Sequence, residues 1–285
     1  MGSFIKAANA LNVPRASVSA AIQQLENRLG SRLLHRTTRR VSLSADGEQL
    51  LEQLRPLLAE LESIAQLFQG DQQVTGQLRV DVPSRIARRL IAPALPSLLN
   101  EHPHLQLLLG SSDRSVDLVQ EGIDCVVRVG QLQNNSLVVR PLGELELVNC
   151  ASPAYLATQG VPVVPDDLLS GHWMVGYAAS SSGKELPWEY VSADAVEHTL
   201  AVPSRVITNN AENYIACCLA GSGLIQVPRF DVQQLLDEGR LVEVLPAFRP
   251  APMPISLLYP HRRQRSRRLI IFLEWFEDLI KPYLL

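Results

Sequence analysis

Cationic and hydrogen-bonding side chains are concentrated near the start of this 285-residue chain, in two groups. The first group comprises Arg15, Ala16, Ser17, Ser19, Ala20 and Gln23. The second group comprises Arg36, Thr37, Thr38, Arg39 and Arg40. Guanidinium groups bind guanine edges, hydroxyls bond to any base, and alanine methyls contact thymine. Arginines with hydroxyls also suit phosphates and a narrow minor groove. The two groups therefore predict contacts to duplex DNA, with the base preference open.

The charge of the chain is divided unevenly, and the division supports this prediction. Residues 1–43 hold seven basic residues and one acidic residue, a net charge of +6. The other 242 residues hold 19 basic and 28 acidic residues, so a net charge of −3 for the whole chain conceals the split. A basic segment on an acidic body suits phosphate binding. For either basic group alone, a solvated surface is the alternative.

Two short helices and a hairpin must position these side chains. The apolar positions that define the helices are Phe4, Ala7, Ala8 and Leu11, then Val18, Ile22, Leu25 and Leu29. Asn12 and Val13 form the turn, Pro14 suits the first position of the second helix, and Gly30 ends it. In such a pair the second helix enters the major groove with its N-terminal residues against the bases. Residues 36–43 predict a small basic hairpin.

A heptad pattern of apolar residues follows the hairpin and predicts a long helix from Ala45 to about Gly70. Its seam comprises Leu50, Leu54, Leu57, Leu61, Ile64 and Phe68. Such a seam favours pairing with a second copy, so that a homodimer or homotetramer reads an inverted repeat. The alternative is a helix packed on its own body. Pro56 predicts a bend, and residues 70–76 predict a hinge.

The rest of the chain alternates strands and helices, which predicts an α/β fold with a parallel sheet covered on both faces. Strands are expected at 78–82, 105–109, 123–129, 146–150, 205–208, 223–228 and 255–259. Helices are expected at 84–99, 116–121, 153–158, 165–169, 211–220, 231–238 and 265–279. No apolar run approaches the roughly 18 residues of a membrane span, so a cytoplasmic location is expected. We predict no catalytic residues, no metal and no cofactor, and four reduced cysteines.

The start of the chain resembles the winged helix-turn-helix of LysR-type transcriptional regulators. The likeness rests on Gly2-Ser3-Phe4, Ala7-Ala8, Leu29-Gly30, Leu33-Leu34-His35-Arg36-Thr37, Arg39-Arg40-Val41-Ser42-Leu43 and Asp46-Gly47. The resemblance implies that the wing contacts are Arg36, Thr37, Arg39 and Arg40, and that the base-facing residues are Arg15, Ala16, Ser17 and Ser19. Pro14 and Ala20 depart from the family, in which many members carry a capping serine and a basic residue there. The family also has a helix before Gly-Ser-Phe, so the resemblance implies that the first helix is missing.

The body resembles the two-lobed, periplasmic-binding-protein-like effector domain of the same family, closest to the CrgA-like subgroup. The likeness rests on Ser112-Asp113-Arg114, Gly122-Ile123-Asp124, Ala151-Ser152-Pro153-Ala154-Tyr155-Leu156, Gly221-Ser222-Gly223-Leu224 and Tyr259-Pro260-His261-Arg262-Arg263. Three domains are expected: a DNA-binding domain at 1–43, a linker at 44–76 and an effector domain at 77–285. Lobe I would hold 77–149 and 254–285, and lobe II 150–253, with crossovers near 149–151 and 251–254.

Polar residues at strand ends and helix starts are the candidates for effector binding, because ligands of α/β sheets lie beyond the carboxyl ends of strands. They are Ser84, Ser111, Ser112, Arg128, Asn209 and Asn210. The alternative is that Ser84, Asn209 and Asn210 cap helices and that Arg128 pairs with a carboxylate. The leading hypothesis is a DNA-binding regulator that responds to a small anionic or polar effector between the lobes. A stand-alone sensor or solute-binding protein without DNA binding is the alternative.

Overall fold

The computed structural model describes residues 13–36, 41–68, 74–111, 118–132, 137–178, 184–260 and 266–285, with Phe4, Ala7 and Ala8. Within these ranges the side chains at 15, 36, 55–56, 59–68 and 119–120 are not described. The chain divides into two compact units, Met1–Gly70 and Asp71–Leu285. We call the first the head and the second the body. The α/β class predicted from the sequence is confirmed.

The head contains a helix, a two-stranded hairpin and a long helix: α1 (Arg15–Leu29), β1 (Leu34–Arg36), β2 (Val41–Leu43) and α2 (Ala45–Phe68). Phe4, Ala7 and Ala8 are helical as predicted. Pro14 precedes α1 in the N-cap position instead of beginning the helix. Gly30 ends α1 with a φ of 67°, as predicted from its freedom to adopt left-handed geometry. The hairpin strands pair antiparallel.

The long helix α2 follows the hairpin over most of the predicted range. Leu50 and Leu54 are half-buried within the head, and Leu57 is 54% exposed. The other seam side chains, Leu61, Ile64 and Phe68, and the predicted bend at Pro56 lie outside the described side chains. Residues 69–73 lie outside the described residues, but Val74 is buried and Gly76 begins a strand. The hinge predicted at residues 70–76 therefore extends too far at its C-terminal end.

Lobe I of the body is a five-stranded sheet in the order β4-β3-β5-β14-β6. Its strands are β3 (Gly76–Val82), β4 (Leu105–Ser111), β5 (Cys125–Val129), β6 (Leu137–Leu145) and β14 (Met253–Pro260). Its helices are α3 (Ser84–Ile86), a π-helical turn (Ala87–Ile91), α4 (Ala92–Glu101), α5 (Leu118–Glu121) and α9 (Arg267–Ile280), followed by a 3-10 turn (Lys281–Tyr283). The aromatic residues Phe272 and Phe276 of α9 are fully buried in its core.

Lobe II contains the intervening chain and is built on two small sheets and a hairpin. Its strands are β7 (Leu147–Ala151), β8 (Met174–Tyr177), β9 (Trp188–Val191), β10 (Glu197–Leu200), β11 (Ser204–Thr208), β12 (Ile225–Pro228) and β13 (Val242–Glu243). Its helices are α6 (Pro153–Gln159), a 3-10 helix (Pro165–Leu169), α7 (Ala211–Leu219) and α8 (Arg229–Asp237). Trp188 and Tyr155 are its largest fully buried side chains.

Two features of the body differ from the sequence prediction. The expected all-parallel sheet is wrong: β3 runs parallel to β4 and β5, but β14 runs antiparallel to β5 and β6. In lobe II, β7 likewise pairs antiparallel with β12 and β13. The reason is that β14 returns to lobe I from the other lobe, so no crossover helix fixes its direction. Strands β6, β8, β9, β10 and β13 were not predicted.

The chain passes from lobe I to lobe II at one residue, Glu146, because β6 ends at Leu145 and β7 begins at Leu147. The crossover predicted at 149–151, and with it the lobe boundary at 149/150, is therefore placed a few residues too late. The return passage lies between β13 and β14, in residues 244–252, which meets the predicted range of 251–254.

Candidate DNA-binding and effector-binding sites

The N-terminal half of α1 is an open polar surface of the head. Ala16, Ser17, Ala20 and Gln23 are exposed, and Ser19 is half-buried. The backbone amides of Ser17 and Val18 bond to the Pro14 carbonyl, so the first turn is closed by the backbone alone. The predicted contacts Thr37, Thr38, Arg39 and Arg40 lie outside the described residues, as do the side chains of Arg15 and Arg36. The described side chains at the start of α1 are therefore accessible to a groove of duplex DNA.

Glu26, the one acidic residue of positions 1–43, joins the helix to the hairpin. Its carboxylate Oε1 accepts hydrogen bonds from the backbone amides of Leu33 (2.9 Å) and Leu34 (3.1 Å). Bonds to a charged acceptor are among the stronger hydrogen bonds of proteins. Glu26 therefore fixes the direction in which β1 leaves α1, and with it the position of the wing relative to the recognition helix.

The junction between the hairpin and α2 is closely packed around Ser44. Its amide bonds to the Leu33 carbonyl (3.0 Å), and its hydroxyl accepts from the Gly47 amide (3.0 Å), which caps the first turn of α2. A Cβ atom at Gly47 would lie 2.0 Å from the Leu33 carbonyl oxygen. Only glycine fits there, which gives the Asp-Gly pair of the sequence a steric reason.

The candidate effector residues of lobe I occupy different environments. Ser84 is the first residue of α3, and Pro83 holds the N-cap position without a side-chain bond, so the expectation that Ser84 caps this helix is wrong. Ser111 is the last residue of β4 and is exposed; Ser112 lies outside the described residues. Arg128 Nη1 lies 3.4 Å from Oδ1 of the buried Asp81 and 3.0 Å from the Val127 carbonyl oxygen. Arg128 thus pairs with a carboxylate here, as the alternative interpretation held.

The candidate residues of lobe II lie together at the start of α7. Asn210 is the N-cap, and its Oδ1 accepts from the Asn213 amide at 2.9 Å. Asn209 is exposed, and its Oδ1 lies 3.4 Å from Asn210 Nδ2. Asn210 therefore has a capping role, while the donor and acceptor of Asn209 face outward at the end of β11.

A buried arginine that sequence reasoning missed connects the two lobes. Arg85 of α3 is 6% exposed, and its Nε lies 3.3 Å from Asp231 Oδ1 while its Nη1 lies 2.9 Å from Glu212 Oε2. Burial raises the pKa of Asp231 to about 7, and the Arg85 guanidinium lowers it only in part. We call Arg85, Glu212 and Asp231 the interlobe cluster. Glu212 lies 127 residues and Asp231 lies 146 residues after Arg85 in the sequence, so no local pattern could indicate this cluster.

A groove of about 280 Å³ adjoins this cluster, with walls from both lobes. Lobe I contributes the arginines that follow Ser84, and lobe II contributes α7, α8 and the segment after α8. The lining residues are Arg85, Arg88, Arg89, Glu212, Ile215, Ala216, Leu219, Gln234, Leu235, Glu238 and Arg240. We call it the arginine groove. It shares no residue with the six effector candidates.

Four side chains form a second charged cluster around the crossover. Arg229 bonds to Glu146 (2.5 Å) and Glu243 (3.0 Å), and Arg249 bonds to Glu146 (2.8 Å) and Glu243 (2.6 Å). We call these residues the crossover ring. Burial raises the pKa of Glu243, but the hydrogen bonds from Arg249 and Arg229 outweigh it and hold that pKa below its usual range. The ring ties the beginning of β7 to the segment that leads back to lobe I.

A head with an exposed helix and a hairpin, followed by a two-lobed α/β body, defines a DNA-binding regulator with an effector domain. Residues 1–48 match the family described as bacterial regulatory helix-turn-helix proteins of the LysR family, and residues 71–281 match the LysR substrate binding domain. The chain belongs to the LysR family of transcriptional regulators. It is thus a DNA-binding protein with an effector-binding domain and not an enzyme.

Relatives agree with this assignment over nearly the full chain. The uncharacterized HTH-type transcriptional regulator YhjC of Escherichia coli is 43% identical over 283 residues, 99% of this chain and 94% of the relative. The HTH-type transcriptional activator AaeR of Escherichia coli is 31% identical, covering 97% and 89%. An HTH-type transcriptional repressor of Pseudomonas aeruginosa is 35% identical, covering 98% and 87%.

Solved structures show the same architecture. CrgA from Neisseria meningitidis matches with a TM-score of 0.65 at 27% identity, covering 97% of this chain and 93% of that one. The full-length virulence activator AphB of Vibrio cholerae matches with a TM-score of 0.61 at 25% identity, covering 100% and 95%. The predicted likeness to CrgA is thus confirmed. Among the described residues, no helix has the length and apolar content needed to cross a membrane.

Proposed function

We propose that this regulator binds an inverted-repeat promoter site as a homodimer or homotetramer in the cytoplasm. The observation that carries the proposal is the exposed N-terminal surface of α1, with Ala16, Ser17, Ala20 and Gln23 open to a groove in a segment of net charge +6. The proposed base contacts are Arg15, Ala16, Ser17, Ser19, Ala20 and Gln23. The proposed wing contacts are Arg36, Thr37, Thr38, Arg39 and Arg40.

Pairing of two heads follows from the apolar surface of α2. Leu57 and Leu58 are each 54% exposed within the head, which favours burial against a second copy. Two heads related by a two-fold axis would read half-sites one helical turn or a multiple of it apart. The proposed seam comprises Leu50, Leu54, Leu57, Leu61, Ile64 and Phe68.

The test of DNA binding is fluorescence anisotropy with duplexes from the promoter region of the regulator's own gene. We expect saturable binding to an inverted repeat that weakens steeply with salt, because each neutralised phosphate contributes to the salt dependence. Ser17→Ala should weaken binding to the specific site by about 1–3 kcal/mol and leave non-specific binding unchanged. Asn27→Ala, on the exposed far end of the same helix, is the matched control.

A double substitution in the wing tests the electrostatic part of the same contact. Arg39→Gln with Arg40→Gln should weaken binding to all sequences and reduce the salt slope by about one unit per lost phosphate contact. Binding with no dependence on salt or sequence would contradict the proposed function, as would a chain that stays monomeric in sedimentation and ignores every promoter duplex.

We place a small anionic or polar effector in the cleft between the lobes, against Ser84, Ser111, Ser112, Arg128, Asn209 and Asn210. The exposed amide of Asn209 and the partial charge at the start of α7 support this assignment. Because Arg128→Gln alone leaves the buried Asp81 beside an uncharged group, the matched variant is Arg128→Gln with Asp81→Asn. Thermal shift with a panel of small carboxylates should show stabilisation that this variant lacks and that Arg205→Gln keeps.

A further inference from the structure

The arginine groove carries more positive charge than its carboxylates neutralise. Four arginines line it against Glu212 and Glu238. Arg85 is bonded to Glu212 and Asp231, and Arg240 lies 3.5 Å from Glu238. Arg89 is half-buried and forms no ion pair in the part of the chain that the structure describes. Its charge acts on Asp231, which Arg85 already contacts, so four guanidinium groups share three carboxylates. The remaining positive charge favours an anion beside the arginines.

The same groove contains an acceptor that needs a donor. Glu212 Oε2 accepts from Arg85 Nη1 (2.9 Å) and Arg88 Nη1 (3.2 Å). Glu212 Oε1 is buried and has no hydrogen-bond partner among the described residues. A buried carboxylate oxygen without a partner is destabilising. The groove therefore suits a ligand with negative oxygens for its arginines and one hydroxyl that can donate to the carboxylate of Glu212.

The backbone that carries the arginines has an uncommon geometry. Arg88 and Arg89 lie in the π-helical turn, in which the Ala92 amide bonds to the Ala87 carbonyl five residues back. Pro93 follows and has no N–H to offer the Arg89 carbonyl, so the α-helical bond cannot form there. Such turns are frequently found at functional sites. Here the turn presents two consecutive arginines beside α7.

We propose that the arginine groove binds a small oxyanion that carries a hydroxyl, either hydrogen phosphate or a phosphate monoester with a hydroxyl on a short carbon chain. Arg88 and Arg89 bind the charged oxygens, and Glu212 accepts from the hydroxyl. In a monoester this is the hydroxyl on carbon, because the phosphate itself is mostly dianionic at neutral pH. The apolar residues Ile215, Leu219 and Leu235 limit the rest of the ligand to a short carbon chain. A volume of about 280 Å³ lies just below the usual range for drug-sized ligands and fits such a molecule.

Binding here would strengthen the connection between the lobes, because lobe I supplies the arginines and lobe II supplies Glu212. A ligand held by both walls favours the arrangement in which the walls are close. This site would lie beside the effector cleft of the proposed function, because Ser84 precedes Arg85 and Asn210 caps the helix that carries Glu212. The two residue sets share no member, so separate variants can test them.

The test is isothermal titration of the full chain with inorganic phosphate at neutral pH in a chloride buffer. Saturable binding is expected, and Arg89→Gln should weaken it at least about tenfold because a charged contact is lost. Sulfate, which has no proton at this pH, should bind clearly more weakly than phosphate. Arg205→Gln, an exposed arginine of lobe II that lies over Trp173, is the matched control and should bind phosphate as the wild type does.

Three outcomes would overturn the proposal. The first is the absence of saturable phosphate binding to the wild type, and the second is undiminished binding to Arg89→Gln. The third is loss of phosphate binding in the variant with Arg128→Gln and Asp81→Asn, which would show that phosphate enters the effector cleft instead. Equal affinity for sulfate and phosphate would overturn the role given to Glu212. Different variants test the effector cleft, so a failure of phosphate to bind the arginine groove would leave the proposed effector cleft unaffected.

Discussion

The head and the body hold their polar residues in place in different ways. In the head, Glu26 bonds to amides 7 and 8 residues away, and Ser44 bonds to a carbonyl 12 residues away. In the body, the contacts of Arg85 join residues 127 and 146 positions apart and connect two lobes. A rigid shift between lobes can therefore break the contacts of Arg85, whereas the contacts of Glu26 lie within one hairpin and its helix. The head is thus held by contacts between near neighbours in sequence, and the body by contacts between its two lobes.

The largest effect is expected at Arg85. Arg85→Ala leaves Asp231, which is 4% exposed, without its hydrogen-bonded cation and with only the weaker influence of Arg89. Removing one partner of a buried pair costs about 3–5 kcal/mol. Urea unfolding should show this loss in the free energy of unfolding of the body, and Arg205→Ala should show almost none. A loss below about 1 kcal/mol would mean that the interlobe cluster does not hold the lobes together.

The same variant has a pH signature. The pKa of Asp231 is raised to about 7 by burial, above the value of 3.8 for a free carboxyl, so the folded state binds more protons between these values. Its contribution to stability is complete below pH 3.8 and is lost as the pH rises toward 7. Removing Arg85 raises this pKa further, so the difference between wild type and variant should be greater at pH 8 than at pH 5.5.

A smaller effect is expected from Glu26 in the head. Glu26→Ala removes the acceptor of two backbone amides and should lower the stability of the head by about 1.5–3 kcal/mol. Although the substitution makes the head more positive, we expect weaker DNA binding because the wing loses its direction. Anisotropy measures this, and Glu26→Gln, which keeps one acceptor, should be intermediate. Tighter binding by Glu26→Ala would show that net charge outweighs geometry.

The crossover ring should matter less than the interlobe cluster. Its four side chains are 21–35% exposed, so Arg249→Ala should cost no more than about 1 kcal/mol. Because the pKa of Glu243 is lowered in the folded state, the stabilisation by the ring is present at neutral pH and is lost as the pH falls through that pKa. Wild type and Arg249→Ala should therefore converge in stability in acid. A constant difference down to pH 3 would contradict this.

The cysteines should show the smallest effect. Cys125, Cys150 and Cys218 are fully buried, and burial raises the pKa of Cys150 to about 12 and those of the other two thiols still higher. Thiolates are the reactive form, so these thiols should be inert at pH 8. Ellman's reagent should therefore detect at most the half-buried Cys217 in the native protein and four thiols after unfolding. Prompt reaction of two or more would show that the body opens readily.

The sequence predicted those parts of the fold that depend on near neighbours. Gly30 ends α1 as predicted, and the helices of both lobes begin within a few residues of their predicted starts. The strands that were missed are short or lie in stretches without clear alternation, such as Met174–Tyr177. Except for β9 and β10, which pair with each other in a hairpin, their pairing partners lie far along the chain, which no local pattern records.

The candidate effector site illustrates the same limit. Arg128 was recognised from its place at a strand end, but its partner Asp81 lies 47 residues away on the neighbouring strand β3. Arg85 stands next to the predicted Ser84, yet nothing in the residues around it indicates that it is buried between lobes. In the head, by contrast, the candidate base contacts were chosen from their place at the start of a helix, and Ala16, Ser17, Ala20 and Gln23 among them are exposed.

The passage between the lobes through Glu146 alone limits how this regulator can be engineered. A connection of one residue cannot absorb added chain, so an insertion there would shift the register of both β6 and β7. The return passage, residues 244–252, is nine residues long and contains no strand. A reporter peptide inserted into this longer passage would report on lobe movement with the sheets intact. The same peptide at Glu146 would separate β6 of lobe I from β7 of lobe II, which one residue now joins.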